Sequence, residues 1–172
     1  MKTEEIVVDG LSVVLFGQSR ESVIIYVHGQ GGCAREAEQV ANVAKLSGYQ
    51  IIAMDLPEHG KCNDAAKFVP WDAVPEIARI AKYAASRWRR ILVCGVSIGA
   101  WFSLYAFKDV CVDKYIFISP AVGYERYDFA INACYRCFRG TSRSRENYRN
   151  AFGTNVVLSL FELGKKQSYK FR

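Results

Sequence analysis

The chain has 172 residues, enough for one domain with a buried core, and its 51% hydrophobic and 23% charged residues exclude disordered and collagen-like proteins. No apolar run approaches the roughly 18 to 20 residues that span a bilayer, and the acidic N-terminal segment is unlike a signal peptide. The net charge of +6 lies entirely in residues 123–172, because residues 1–122 carry 13 basic and 13 acidic side chains. We therefore predict a cytoplasmic protein without a membrane span, in which residues 1–122 carry no net charge.

The chain begins with a predicted β-hairpin. Residues 5–8 and 12–16 are short apolar runs joined through Asp9 and Gly10, a pair that tolerates the positive φ of a tight turn. Residues 22–27 follow as an unbroken run of β-branched and aromatic side chains, which is typical of a strand covered on both faces.

Helices and strands then alternate along the chain. The spacing of apolar residues predicts helices over residues 36–46, 72–88 and 98–107, and strands over residues 50–54, 91–96 and 115–119. Repeated β-α-β units with wholly apolar strands favour an α/β fold, with a mainly parallel sheet and helices on both faces. Binding and catalytic sites in such folds lie at the carboxyl ends of the strands.

The last 50 residues, 123–172, are patterned differently and are called the tail below. Their apolar residues follow neither the helical nor the strand period, and only residues 156–163 look like a regular element. The sequence therefore predicts a core over residues 1–122 and a basic, poorly ordered tail.

The six cysteines favour reduced thiols, because they are scattered through a chain without an export signal. Cys134 and Cys137 form one C-x-x-C pair, but no second pair or nearby histidine completes a zinc site. We expect neither a metal nor a cofactor.

One candidate for chemistry is the sequence GVSIG at residues 95–99, between a predicted strand and a predicted helix. In this context the pentapeptide predicts a nucleophile elbow, a sharp turn that exposes Ser97 above the sheet. The alternative is an ordinary serine at a helix N-cap, which is common after buried strands.

A second candidate is the glycine-rich sequence HGQGG at residues 28–32, directly after the strand at residues 22–27. Both loops open at the carboxyl edge of the same sheet, so the backbone N–H groups of Gln30 and Ile98 are predicted to hold an oxyanion beside Ser97. The alternatives are a plain turn or a phosphate cradle. A nucleotide site is disfavoured because neither phosphate-binding glycine motif is present.

Four motifs in this order resemble the α/β-hydrolase superfamily: HGQGG at 28–32, DLPEHG at 55–60, GVSIG at 95–99 and ISP at 118–120. The resemblance covers residues 1–122 and implies an incomplete α/β-hydrolase fold. It also implies acyl transfer to Ser97 from a small-molecule substrate, as in esterases, lipases or aminopeptidases. In this reading His28, Gly29, Gly95 and Gly99 support the two loops.

The chain departs from the family pattern at the general base. A Ser-His-acid hydrolase needs a histidine after the nucleophile, whereas both histidines here, His28 and His59, precede Ser97. Either histidine is a candidate base, although the resemblance implies a structural role for His28 in the glycine-rich loop, which favours His59. The sequence therefore predicts a serine hydrolase whose activity is impaired or absent in this chain.

The tail suggests a reason for the missing histidine. The rise in charge, the loss of periodicity and the absence of the base all begin near Gly123. Codons compatible with residues 137–154, read one base later, can encode an ordinary amphipathic sequence, so we interpret the tail as a frameshift product. The nucleotide sequence of the gene tests this interpretation directly.

Two further interpretations assign a function without turnover. The chain is then either a pseudoenzyme that retains an acyl compound, or a binding module whose basic stretch, residues 136–149, contacts nucleic acid or another polyanion. Tyr135, Phe138 and Tyr148 lie among the arginines as base stacking would require. We expect no nucleic-acid partner, because these residues form no regular basic face.

Overall fold

The computed structural model describes residues 1–62, 65–121, 148–149 and 155–159. Its eight strands form one sheet in the order β1-β2-β4-β3-β5-β6-β8-β7. The strands are β1 (Thr3–Val8), β2 (Leu11–Phe16), β3 (Ser22–Val27), β4 (Gln50–Met54), β5 (Arg90–Val96), β6 (Lys114–Ile118), β7 (Tyr148–Arg149) and β8 (Asn155–Ser159). The helices are α1 (Ala37–Ala44), α2 (Pro70–Arg87) and α3 (Ile98–Ala106), and short 3₁₀ turns at Ala34–Glu36 and Lys45–Ser47 flank α1.

The centre of the sheet is parallel and its ends are antiparallel. Strands β4, β3, β5, β6 and β8 pair in parallel, whereas β1, β2 and β4 form an antiparallel series and β7 runs antiparallel to β8. The helical crossovers place β3 between β4 and β5. The loops after β3, β4, β5 and β6 consequently open at one edge of the sheet.

Alternating side chains of β3 build a separate hydrophobic core on each face of the sheet. Ile24 and Tyr26 pack with the small residues of α1, whereas Val23, Ile25 and Val27 pack with α2 and α3. All five residues are buried, as the unbroken apolar run predicts. Helices therefore cover both faces, and the prediction of a mainly parallel sheet between two helical layers is confirmed.

The predicted hairpin is also confirmed. Asp9 and Gly10 have φ of 48° and 82°, the two positive values of a type I′ turn, and β1 pairs with β2 from Val8↔Leu11 outward. Helix α2 begins two residues earlier than predicted. It starts at Pro70, whose fixed φ suits the first helical position and whose missing N–H has no partner there in any case.

Strand β6 ends at Ile118, one residue before the predicted end, because Ser119 turns out of the strand with φ of 44°. In the tail, β8 overlaps residues 156–163, the segment that the sequence singled out, but begins one residue earlier, and it pairs in parallel with β6. The C-x-x-C pair and most of the basic stretch lie outside the described residues. No helix in the described part of the chain is both long and apolar enough to cross a bilayer.

Candidate active site

Ser97 occupies a sharp turn between β5 and α3. Its φ of 50° and ψ of −121° lie in a region that residues with a Cβ rarely adopt, at a cost of about 1–3 kcal/mol. Ser97 is the residue before the helix, yet its side chain makes no capping hydrogen bond there. An ordinary N-cap serine has an extended backbone and bonds the first turn. The conformation therefore matches a nucleophile elbow rather than an N-cap.

Two glycines make this turn sterically possible. A Cβ on Gly95 would lie 2.5 Å from Cα of Ala100, and a Cβ on Gly99 would collide with the backbone carbonyl oxygen of His28. The N–H of Ser97 also donates to the carbonyl of Ile118, at 2.9 Å, which fixes the turn to the neighbouring strand. The strained backbone persists because packing and this hydrogen bond leave it no alternative.

The loop after β3 lies directly against the elbow. We call residues 28–34, up to and including the first residue of the following 3₁₀ turn, the β3 loop. A Cβ on Gly29 would lie 3.1 Å from Cβ of Ser97, so only a glycine lets the β3 loop approach this closely without displacing the serine. The structure thus brings together the two motifs that the sequence placed at the same sheet edge. Gln30 is exposed, and Ile98 is the first residue of α3, where N–H groups have no partner within the helix.

His28 is fully buried and fixes the peptide unit between Gly29 and Gln30. Its Nδ1–H donates to the carbonyl of Gly29 at 2.7 Å, and its Nε2 accepts the N–H of Leu56 at 2.9 Å. These partners assign the neutral Nδ1–H tautomer. Burial lowers the pKa of His28, in keeping with a neutral ring.

The anchored carbonyl of Gly29 determines the direction of the Gln30 N–H. In a planar trans peptide, the N–H of one residue points opposite to the carbonyl of the residue before it. The Gly29 carbonyl also accepts the N–H of Gly32 at 3.1 Å. His28 therefore orients one of the two predicted oxyanion donors without exposing its own ring.

His59, the candidate base, also has both ring nitrogens engaged. Its Nδ1–H donates to the carbonyl of Pro57 at 2.8 Å, and its Nε2 accepts the N–H of Gly31 at 2.9 Å. A general base needs a free lone pair directed at the nucleophile. As placed here, the lone pair of His59 is directed at the β3 loop.

Asp55 completes the connection between these loops, a role that the sequence motifs do not assign to it. We call residues 55–62 the β4 loop. The Asp55 carboxylate accepts the N–H of Ala34 at 2.6 Å and that of Lys61 at 2.8 Å. Three side-chain bonds thus join the two loops, through His28, Asp55 and His59. The one sequence signal that could identify Asp55 is its position as an acidic residue directly after a buried strand.

The described residues contain no group of three or more metal-ligating side chains. Among the described residues, Cys33, Cys94 and Cys111 are free thiols. Burial raises the pKa of the Cys94 thiol to about 11, so it behaves as a core residue.

Comparison with known proteins supports the same fold. The model of a family described as "Alpha/beta hydrolase family" matches residues 24–164, which extends past the predicted boundary at residue 122. The boundary of the core at residue 122 and the origin of the tail in a frameshift stay predictions. Comparison with the curated proteins found no match.

Several solved structures are similar to this one. An esterase from Pyrococcus furiosus is 22% identical, with a TM-score of 0.58, over 69% of this chain and 50% of its own. A Xanthomonas campestris protein described as an α/β serine hydrolase without a lid is 18% identical, with a TM-score of 0.60, over 72% and 63%. An epoxide hydrolase from Vigna radiata is 15% identical, with a TM-score of 0.56, over 67% and 37%.

The chain therefore spans less than two thirds of the length of each of these three proteins. At such identities the likeness establishes the fold alone. The family match covers most of the chain, and it agrees with the sheet order and with the strained turn at residue 97. This chain belongs to the alpha/beta hydrolase family.

Proposed function

We propose that the protein is a serine hydrolase that attacks an ester or related acyl bond through Ser97. The observation that carries the proposal is the backbone of Ser97, which is held at φ of 50° between β5 and α3 with the β3 loop packed against it. Backbone strain of this kind clusters at functional sites, where the surrounding structure holds it. A hydroxyl at this turn is the nucleophile of acyl transfer in the nucleophile-elbow motif.

In the proposed reaction, the Ser97 Oγ bonds to the acyl carbon, its proton passes to a base, and the alcohol or amine leaves. The N–H groups of Gln30 and Ile98 stabilise the oxyanion, each by about 3 kcal/mol. Water then releases the acid. Both histidines already use their accepting nitrogen for a backbone N–H, and no histidine follows Ser97 in the sequence, so we expect this chain to turn over slowly or not at all.

Labelling with a fluorophosphonate tests the nucleophile without requiring turnover. The Ser97 oxygen displaces fluoride from phosphorus and its proton passes to the buffer, so one stable bond forms. Because the histidine base is missing, we expect mass spectrometry to find the label on Ser97 forming slowly, and faster with added imidazole, and Ser97→Ala to abolish it. Ser119→Ala is the matched control, because Ser119 is an exposed serine with φ of 44° at the neighbouring strand end. Labelling that survives Ser97→Ala contradicts the proposal.

Added imidazole tests the missing base. A small base in solution can accept the serine proton in place of a histidine side chain. We expect imidazole to increase p-nitrophenyl acetate hydrolysis by the full chain beyond its effect on Ser97→Ala. An identical increase in both proteins would show that Ser97 takes no part.

A further inference from the structure

We infer that His59 is a positioning residue, which acts by accepting the Gly31 N–H and so fixes the peptide unit between Gln30 and Gly31. The inference rests on the proposed function of Ser97 and assigns a role to the histidine that the reaction does not use as a base. The oxyanion donor of the β3 loop is the N–H of Gln30, and Gln30 joins the two peptide units that His28 and His59 hold.

Gln30 is flanked by one fixed peptide unit on each side. On the amino side, the Gly29 carbonyl is held by His28 and by the N–H of Gly32. On the carboxyl side, the Gly31 N–H is held at 2.9 Å by the Nε2 atom of His59. Fixing both units also fixes the φ and ψ angles of Gln30, which set how the second unit, with the Gln30 carbonyl, is turned relative to the first.

Gly31 needs this restraint because it is exposed and has φ of 76°. A glycine adopts positive and negative φ at similar cost, and a Cβ at residue 31 would contact nothing within 4 Å. Packing therefore does not hold the peptide. Without an acceptor at His59, the unit is free to rotate and turn the Gln30 carbonyl toward the position of the oxyanion.

The His59 ring is itself well fixed. Its Nδ1–H donates to Pro57, and its centroid lies 4.3 Å from that of Phe68. Phe68 packs edge-on against Phe102 at 5.5 Å, and Phe102 is a buried residue of α3. His59 thus links the β3 loop to the helix whose first N–H is the second predicted oxyanion donor.

The first test compares two substitutions in the full chain. His59→Phe keeps a ring against Phe68 but removes the acceptor, whereas His59→Gln places an acceptor oxygen at about the same reach from the backbone. We expect His59→Phe to slow fluorophosphonate labelling of Ser97 by about tenfold or more, and His59→Gln to restore most of the rate. Equal rates in the unsubstituted chain and His59→Phe, or equal losses in both variants, would overturn the inference.

Amide hydrogen exchange of Gly31 provides a readout that does not depend on the reactivity of Ser97. We expect slow exchange in the unsubstituted chain, faster exchange in His59→Phe and recovery in His59→Gln. Nitrogen NMR of the unsubstituted chain should also find His59 protonated at Nδ1, and protonation at Nε2 alone would overturn the inference. If Ser97 is never labelled, the proposed function fails, and the exchange and tautomer results decide the role of His59.

Discussion

The two sides of the candidate site are held in place by different means. The elbow at Ser97 depends on the absence of side chains, because Gly95 and Gly99 let backbone segments meet at distances that exclude a Cβ. The β3 loop depends on the presence of side chains, because His28, Asp55 and His59 donate to or accept from its backbone. The elbow should therefore be sensitive to added volume, and the β3 loop to the loss of polar atoms.

Gly99→Ala should have the largest effect on stability. The new Cβ would collide with the His28 carbonyl and lie 2.6 Å from that of Val27, so β3 and α3 must separate. We expect the free energy of unfolding, measured by urea denaturation, to fall by about 3 kcal/mol. Gly48→Ala is the control: with φ of 76° and open space around it, it should cost only about 1 kcal/mol of backbone strain. Similar losses in both variants would contradict a steric origin.

Asp55→Asn should have the next largest effect. The carboxylate accepts two backbone N–H groups, and an amide has only one accepting oxygen. We expect a loss of about 2 kcal/mol in the free energy of unfolding, together with faster amide exchange at Ala34 or Lys61. Asp113→Asn is a matched control, because Asp113 accepts a single N–H, from Ile91. If Asp113→Asn lowers the free energy of unfolding as much as Asp55→Asn does, the second hydrogen bond of Asp55 adds no stability.

Acidification should weaken the fold through His28. Burial holds the pKa of His28 below its ordinary value of 6.5, so the unfolded chain takes up a proton at a higher pH than the folded chain. The stabilisation from neutral His28 is fully present above the pKa that His28 has in the unfolded chain. It declines as the pH falls toward the lower pKa that His28 has in the folded chain. Urea midpoints should therefore fall between about pH 7.5 and pH 5.5.

The matched variant for this measurement is His28→Gln, which removes the titrating ring. The difference in pH dependence between it and the unsubstituted chain isolates His28. Glu5 and Glu58 titrate outside this range, because hydrogen bonds and lysines lower their pKa values below the ordinary 4.5. Parallel pH profiles for the two proteins would count against a buried neutral His28.

Lys67→Met should have the smallest effect. Lys67 Nζ lies 3.2 Å from the Glu58 carboxylate, but both side chains are exposed, and such ion pairs contribute little. We expect the urea midpoint to stay unchanged within error. A clear loss of stability would show that surface charge, and not only the three polar links, holds the β4 loop.

The sequence predicts the elements that depend on local pattern. Strands β3 and β4 have the predicted bounds because their apolar runs are unbroken, and the glycines around Ser97 mark the elbow without any tertiary information. The roles of Asp55 and His59 could not be predicted in this way. Their partners lie 21 and 28 residues away, so the bonds arise from the placement of β3 beside β4. An acid or a histidine at a strand end does not reveal which backbone group it will meet.

The contact of Gly99 with β3 also bears on how the site is assembled during folding. The start of α3 fits against the carbonyls of Val27 and His28 only when β3 and β5 are already paired. The turn at Ser97 therefore forms together with the middle of the sheet, in one cooperative unit. Hydrogen exchange should find the amides of α3 and β3 opening together, so a molecule with an intact central sheet also has its serine in position.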